Sequence, residues 1–180
     1  MAVVNLAELL VSLVVSGFLL GSLVSTLDQG QRVYATGNAR VEMIQNARVA
    51  LNRMATDVRQ AGRGPTPDSF PAISVAEPSR IVLQHDLDGN GVIAGAGETI
   101  TWRLAGTILR RDAGGGAQPI INGVQDLTFT YLDGTGAVTT RLDAIRTIVI
   151  RLTATADHGS STLAAAAPQT VTTQVRLRNR

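Results

Sequence analysis

The chain has 180 residues, 44% of them hydrophobic, and a formal net charge of +2, which suits one domain of ordinary size plus an appendage. It contains no cysteine, which excludes a disulfide framework, Cys-ligated zinc and thiol catalysis. All 16 basic residues are arginine and lie scattered, and with one Trp, two Tyr and three Phe there is no basic block interleaved with stacking residues, as nucleic-acid surfaces use.

The first element is MAVVNLAELLVSLVVSGFLLGSLVSTL, uncharged from Leu9 to Leu27. Nineteen residues at helical rise cover about 29 Å, close to the hydrocarbon thickness of a bilayer, so the stretch predicts a membrane-spanning helix. A cleaved secretory signal fits less well, because Met1-Ala2-Val3 offers no basic region and no small-x-small site closes the apolar run. Gly17 and Gly21 form a small-xxx-small pair that either lets helices approach closely or reflects ordinary tolerance of glycine in a membrane helix. Glu8 stands at the leading edge of the apolar run, where a carboxylate is solvated by headgroups or needs a partner of opposite charge.

Residues 38–61 place Val41, Ile44, Ala47, Leu51, Met54, Val58 and Ala61 at steps of three or four, the stripe of an amphipathic helix. The charged residues fall mainly elsewhere on the wheel, with Arg53 and Asp57 as an i,i+4 pair. Gly62-Arg63-Gly64-Pro65 should end the helix. Whether Gly30 and Gly37 interrupt it earlier is open, each costing up to about 1 kcal/mol relative to alanine.

From Ala72 the period becomes that of strands. Six are expected, at residues 80–84, 99–104, 107–110, 127–132, 147–153 and 171–177, short, β-branched and separated by turn signals. In the fifth, Ile148, Ile150, Leu152 and Ala154 alternate with Thr147, Val149, Arg151 and Thr153, so one face is suited to burial. The stripe at 41–61 is its natural partner, which predicts an α+β fold with an antiparallel sheet packed on the C-terminal half of a long helix. The expected divisions are 1–37, a hydrophobic helix, 38–64, its amphipathic continuation, and 65–180, the sheet domain. Residues 112–117 read as a flexible turn and 157–168 as a solvent loop, in which His158 is a loop residue rather than a base or ligand.

One loop carries chemistry of its own. Asp86, Asp88 and Asn90 offer oxygens at alternate positions, Gly91 is sixth and Val92 offers a carbonyl at the seventh, as in the first part of a calcium loop. The ending departs from that pattern, with Gly97 twelfth and Glu98 thirteenth. Two readings stand, a Ca²⁺ site built from Asp86, Asp88, Asn90, Val92 and Glu98, or a polar turn using Asp-Gly and Asn-Gly chemistry.

Asn5-Leu-Ala-Glu8-Leu-Leu-Val-Ser12 resembles the mature N-terminus of type IV pilins and type II secretion pseudopilins, in which an F-T-L-x-E-L-L motif begins a long hydrophobic helix capped by a β-sheet. Residues 39–62, the Asp-x-Asp-Gly-Asn-Gly loop and the closing Val175–Asn179 are similar to PilW-type minor pilins, so the resemblance covers nearly the whole chain. It implies a pilin-like fold and a structural subunit of a pilus, secretion or competence filament whose partners are other pilin subunits. It also implies that Glu8 pairs with the α-amine of a neighbouring subunit and sets helix register during assembly. Val4 matches the residue that prepilin peptidase exposes and methylates. Val3 stands where the family has the leader's glycine, and no basic residue precedes Glu8, so the expected leader lies upstream of this start or was altered in it. Arg32 is the first basic residue, and the positive-inside rule alone would put the C-terminal domain in the cytoplasm. The resemblance implies the opposite topology, a single pass through the inner membrane with the domain outside the cytoplasm before entry into a filament.

Two other classes of function compete with this reading. A competence-type subunit would contact DNA through Arg176, Arg178 and Arg180, with steeply salt-dependent binding. An anchored β-domain without a filament role would make Glu8 dispensable. Enzymatic activity is not expected, since no nucleophile, base and orienting group converge, and Ser160-Ser161 beside His158 reads as a polar loop.

Overall fold

The computed structural model describes residues 5–65, 69–156 and 167–179. A single helix, α1, runs from Leu6 to Gln60, 55 residues, or about 80 Å at helical rise. Gly30 and Gly37 do not break it. Asp28 and Arg32 bracket Gly30 with an exposed i,i+4 pair at 2.9 Å, the kind that offsets a few tenths of a kcal/mol of glycine's cost, on the order of 0.3.

The helix stops where the glycines begin, and the far end of the chain helps to stop it. Gly62 adopts φ +76°, and its N–H donates to the Gln84 carbonyl at 2.8 Å. A Cβ at this position would meet the Asn179 carbonyl oxygen at 2.8 Å and the Ala72 Cβ at 2.9 Å, so glycine is required on both counts. The Asn179 side-chain amide donates to the carbonyls of Arg59 at 3.2 Å and Ala61 at 3.1 Å, groups that a helix end otherwise leaves unpaired.

Among the described residues eight strands follow instead of six, in two antiparallel sheets instead of one. The first sheet has the order β1 (Ile73–Ala76), β2 (Arg80–Gln84), β3 (Thr99–Ala105), β4 (Ile108–Asp112) and β5 (Gln118–Ile121). The second has β6 (Val124–Leu132), β7 (Thr147–Ala154) and β8 (Gln169–Arg176). The two strands absent from the sequence expectation, β1 and β5, are the edges of the first sheet, four residues each. Their shortness hides the alternation, and Pro119 in β5 is tolerated because an edge strand leaves one side of its ladder unpaired. β6 starts three residues earlier than expected, across an irregularity between Val124 and Asp126 that carries the strand past the break in its pattern.

α1 lies along β8 and β7, and one core joins the helix to both sheets. The buried helix face consists of Met43, Ala47, Ala50, Leu51, Met54, Ala55, Val58 and Ala61. Val41, expected on that face, is 54% exposed, and Met43 takes its place. Four of the buried positions are alanine, which brings the helix axis close to the sheets without steric conflict. Ile148, Ile150 and Leu152 of β7 face this core as their alternation requires, opposite the outward Arg151. The sheets are tied to each other where the turn after β1 meets β6: Phe129 N–H donates to Pro78 O at 2.7 Å, and the Tyr131 hydroxyl donates to Glu77 O at 2.7 Å.

Asp57 departs most from its expected place. It is not paired with Arg53 on the solvent face but buried at 3% exposure. Its Oδ2 accepts from Trp102 Nε1 and from Arg111 Nε, both at 2.8 Å, and its Oδ1 accepts from the other arm of the Arg111 guanidinium at 3.2 Å. The guanidinium also stands 6.0 Å from the Trp102 ring centre, in cation–π range. A charge taken from water is tolerated only with such full pairing, and removing one partner of a buried pair typically costs about 3 kcal/mol or more. Asp57→Ala should therefore lower the unfolding free energy by about 3 kcal/mol, and Arg53→Ala by under about 0.5 kcal/mol, in urea denaturation of the detergent-solubilised chain. Equal effects would restore the Arg53–Asp57 pairing.

Candidate functional site

Two parts of the chain carry the residues singled out by sequence, the exposed half of α1 and the loop between β2 and β3. The first is apolar and has no partner among the described residues. Its most hydrophobic 18-residue window is long and apolar enough to cross a membrane, and none of that window is buried in the protein. Among the described residues, nothing lies within 4 Å of where a Cβ would stand on Gly17 or Gly21, so any close approach they permit is to another molecule.

Glu8 lies in the first turn of this helix, with Asn5 as the N-cap residue. Its Oε2 accepts from the Asn5 N–H at 3.4 Å, a long version of the capping-box contact. Thus Glu8 has a local role besides any intermolecular one, since it offers a carboxylate to the positive end of a helix. The spacing Asn5-x-x-Glu8 is itself a capping-box signature, legible in the sequence. Val3 and Val4 lie outside the described residues, as do His158, Ser160, Ser161 and Arg180. Arg176 at the end of β8 and Arg178 just after it are exposed.

The second part is the 13-residue run 86–98. β2 ends at Gln84 and β3 begins at Thr99, so the loop is clamped between paired strands, Gln84 standing opposite Thr99. Asp86, Asp88 and Glu98 come together, each offering one oxygen within 4.8 Å of the others. Asn90 is turned to other work: its Oδ1 accepts from Val92 N–H at 2.7 Å, and its side-chain amide donates to Asp88 Oδ2 at 2.8 Å. Hence three of the five calcium-loop candidates converge through side-chain oxygens.

Main-chain amides hold these carboxylates in place. Asp86 accepts from Gly89 and Gly91, each at 2.7 Å, and both glycines adopt positive φ, near +77° and +79°, to present their N–H groups. Glu98 accepts from Leu87 at 3.1 Å, Ala94 at 3.1 Å and Gly95 at 2.6 Å. The acidities follow from these contacts. Burial would raise the Asp86 pKa, but the amides of Gly91 and Gly89 and its bond with Asp88 together hold it below the usual 3.8. For Glu98 the Gly95 and Leu87 amides outweigh burial and hold the carboxyl below 4.5. Both groups are therefore ionised at neutral pH. A set of hard anionic oxygens suits a hard cation, and it is already stable with protein donors alone.

Next to the loop, His85 is buried at 3% exposure, and its Nδ1 has no hydrogen-bond partner among the described residues. Sequence reading passed over it, because nothing local distinguishes it from an exposed strand-end histidine.

No family model matches the chain, and no curated protein matches it in sequence.

Burial lowers the His85 pKa below 6.5, more strongly than the opposing charges of Asp57 and Glu98 raise it, with Arg111 and Arg63 adding to the lowering. The unfolded chain therefore takes up this proton before the folded one does, so stability is highest above pH 6.5 and falls as pH drops toward the folded value. The depressed carboxyls of Asp86 and Glu98 act with the same sign, but only below about pH 4.5. Thermal unfolding measured between pH 7 and pH 5 should show a falling Tm that flattens in His85→Gln; an unchanged slope would remove His85 as its source.

Proposed function

We propose that this chain is a minor-pilin-like structural subunit, resembling the PilW type, that enters a type IV pilus or a related secretion or competence filament. The observation that carries the reading is the division of α1. One unbroken helix exposes an apolar half on every side and packs its other half on two sheets. An apolar half-helix of this kind needs a second solvent or other copies of itself. Lipid supplies the first before assembly, and a bundle of like helices supplies the second afterwards, so one surface serves both states.

Glu8 gives the transfer a register. In lipid or in a helix bundle its charge is costly without a counter-charge, and the α-amine of a neighbouring subunit lies at the matching depth. The long, replaceable contact with the Asn5 N–H leaves the carboxylate available for it. Prepilin peptidase acting before Val4 would create that amine and methylate it, with the domain outside the cytoplasm and the helix in the inner membrane until extraction. The exposed Arg176 and Arg178 support the DNA-binding alternative only as two charges one residue apart.

Within this reading, Asp86, Asp88 and Glu98 would hold a Ca²⁺ ion, favoured by their convergence within 4.8 Å. The ion would supply compensating charge to the ionised Asp86 and Glu98 and lock the β2–β3 loop. Millimolar Ca²⁺ should then raise Tm by about 3 °C or more in the native chain and not in Asp86→Ala/Asp88→Ala, whereas Mg²⁺ should do little. A loop that only uses turn chemistry gives no shift.

The filament reading is tested at Glu8. Glu8→Leu should leave the chain in the membrane fraction at normal abundance and reduce its recovery in sheared filaments by about tenfold or more, with Glu8→Asp intermediate. Unchanged incorporation in Glu8→Leu would favour the anchored β-domain.

A further inference from the structure

The register of the first sheet produces a feature that no sequence pattern announces. Arg103 in β3 stands directly opposite Arg80 in β2 on one side and Arg110 in β4 on the other. Residues opposite one another in a sheet share a face, so three guanidinium groups form one row across three adjacent strands. This is the outward face. The alternate residues Ile81, Ile100, Trp102 and Leu109 point into the core. Arg80 and Arg103 are exposed and Arg110 is half-buried.

Like charges directly opposite in a sheet are destabilising, and neighbouring acids normally relieve them. Here they do not. Among the described residues none of the three arginines is in an ion pair: the pairs present are Arg32–Asp28, Arg111–Asp57 and Arg141–Asp143. Of the nearest acids along the strands, Glu77, closing the turn before Arg80, is exposed, and Asp112, two residues beyond Arg110, accepts from the amides of Gly114 and Gly116; among the described residues neither stands in an ion pair with the row. Among the described residues Arg110 donates to the Ala117 carbonyl, at 3.0 Å, a neutral acceptor.

We propose that the Arg80–Arg103–Arg110 row is a docking surface for an acidic segment of a partner protein. The charge complement is a set of carboxylates about 5 Å apart, the spacing of neighbouring strands, each matched by a guanidinium fork that binds carboxylate in bidentate fashion. The surroundings favour protein over nucleic acid. Val75 and Pro119 share this face through their pairing with Val82 and Arg110, and Ile108 shares it two residues from Arg110. Arginine set among apolar residues is the composition of protein interfaces. The row is only three strands wide, and Trp102, which lies in β3 next to Arg103, points to the opposite face. It offers neither a long phosphate-tracking stripe nor a stacking platform. The inference goes beyond the filament reading and stands without it, since it concerns the sheet domain and not the N-terminal helix.

The test uses the full chain in an uncharged detergent and a fluorescently labelled glutamate-rich peptide as probe. The peptide should bind at low salt and dissociate as salt rises. Arg80→Gln/Arg103→Gln/Arg110→Gln should weaken it by about tenfold or more, while Arg48→Gln/Arg53→Gln/Arg59→Gln, an equal charge change on α1, should weaken it by less than about twofold. Arg103→Gln alone should raise Tm by about 2 °C, because it relieves two like-charge contacts. The proposal is overturned if the peptide does not bind, if both triple variants weaken it equally, or if Arg103→Gln lowers Tm. It is overturned in favour of nucleic acid if duplex DNA displaces the peptide at lower concentration and its own binding is lost in the row variant.

Discussion

Asp57 sits three residues before the end of α1 and accepts hydrogen bonds from two neighbouring strands, through Trp102 and Arg111. A buried carboxylate cannot tolerate sliding or rotation of the helix, because a small displacement exchanges paired charge for bare charge in a medium that solvates neither. Alanines at 47, 50, 55 and 61 provide closeness but little specificity, since a smooth surface packs at several rotations. Asp57 provides the specificity. It fixes which helix face meets the first sheet, while the alanine-rich surface and β8 supply the area. The Asn179 amide then closes the helix end from the opposite terminus of the chain. Helix, first sheet and last residues are thereby held in one arrangement.

That anchoring explains how one helix can have two unlike halves. From Met43 onward α1 belongs to the domain core, and its apolar window nearer the N-terminus packs on nothing among the described residues. A helix of such length would bend or fray without support at one end, since helices in proteins gain most of their stability from packing. The packed end supplies that support, and the apolar half projects as a continuation of a rigid element. Under the filament reading proposed above, force or rotation applied to the apolar half would reach the sheet domain through Asp57 and the core face around it.

The residues that carry the remaining chemistry were legible to different degrees. The 86–98 run was recognisable because its oxygens and glycines are local and their spacing is visible. Its central detail was not, since Glu98 reaches back across the loop to the amides of Leu87, Ala94 and Gly95 only after β2 and β3 have paired. Glu8 was visible as a charge at an apolar boundary, whereas its contact with Asn5 depends on the helix starting at Leu6. For Asp57 the local signal points elsewhere: Arg53 lies four residues away, at the right spacing for a helical pair. The buried alternative wins because Trp102 and Arg111 offer three donors out of water, against one screened partner at the surface.

The sequence by itself determined the elements whose cause is local: the apolar run and its span, the change of period at Ala72, the strand cores and the glycine turns. Each follows from side-chain spacing and backbone preference within a few residues. Tertiary structure alone decided the division into two sheets, the rotation of α1 that buries Asp57 and Met43 but exposes Val41, the unpartnered nitrogen of His85, and the register that aligns Arg80, Arg103 and Arg110. These depend on which distant segments pair and in what register. A period of two or of 3.6 residues specifies a buried face but not the partner that covers it.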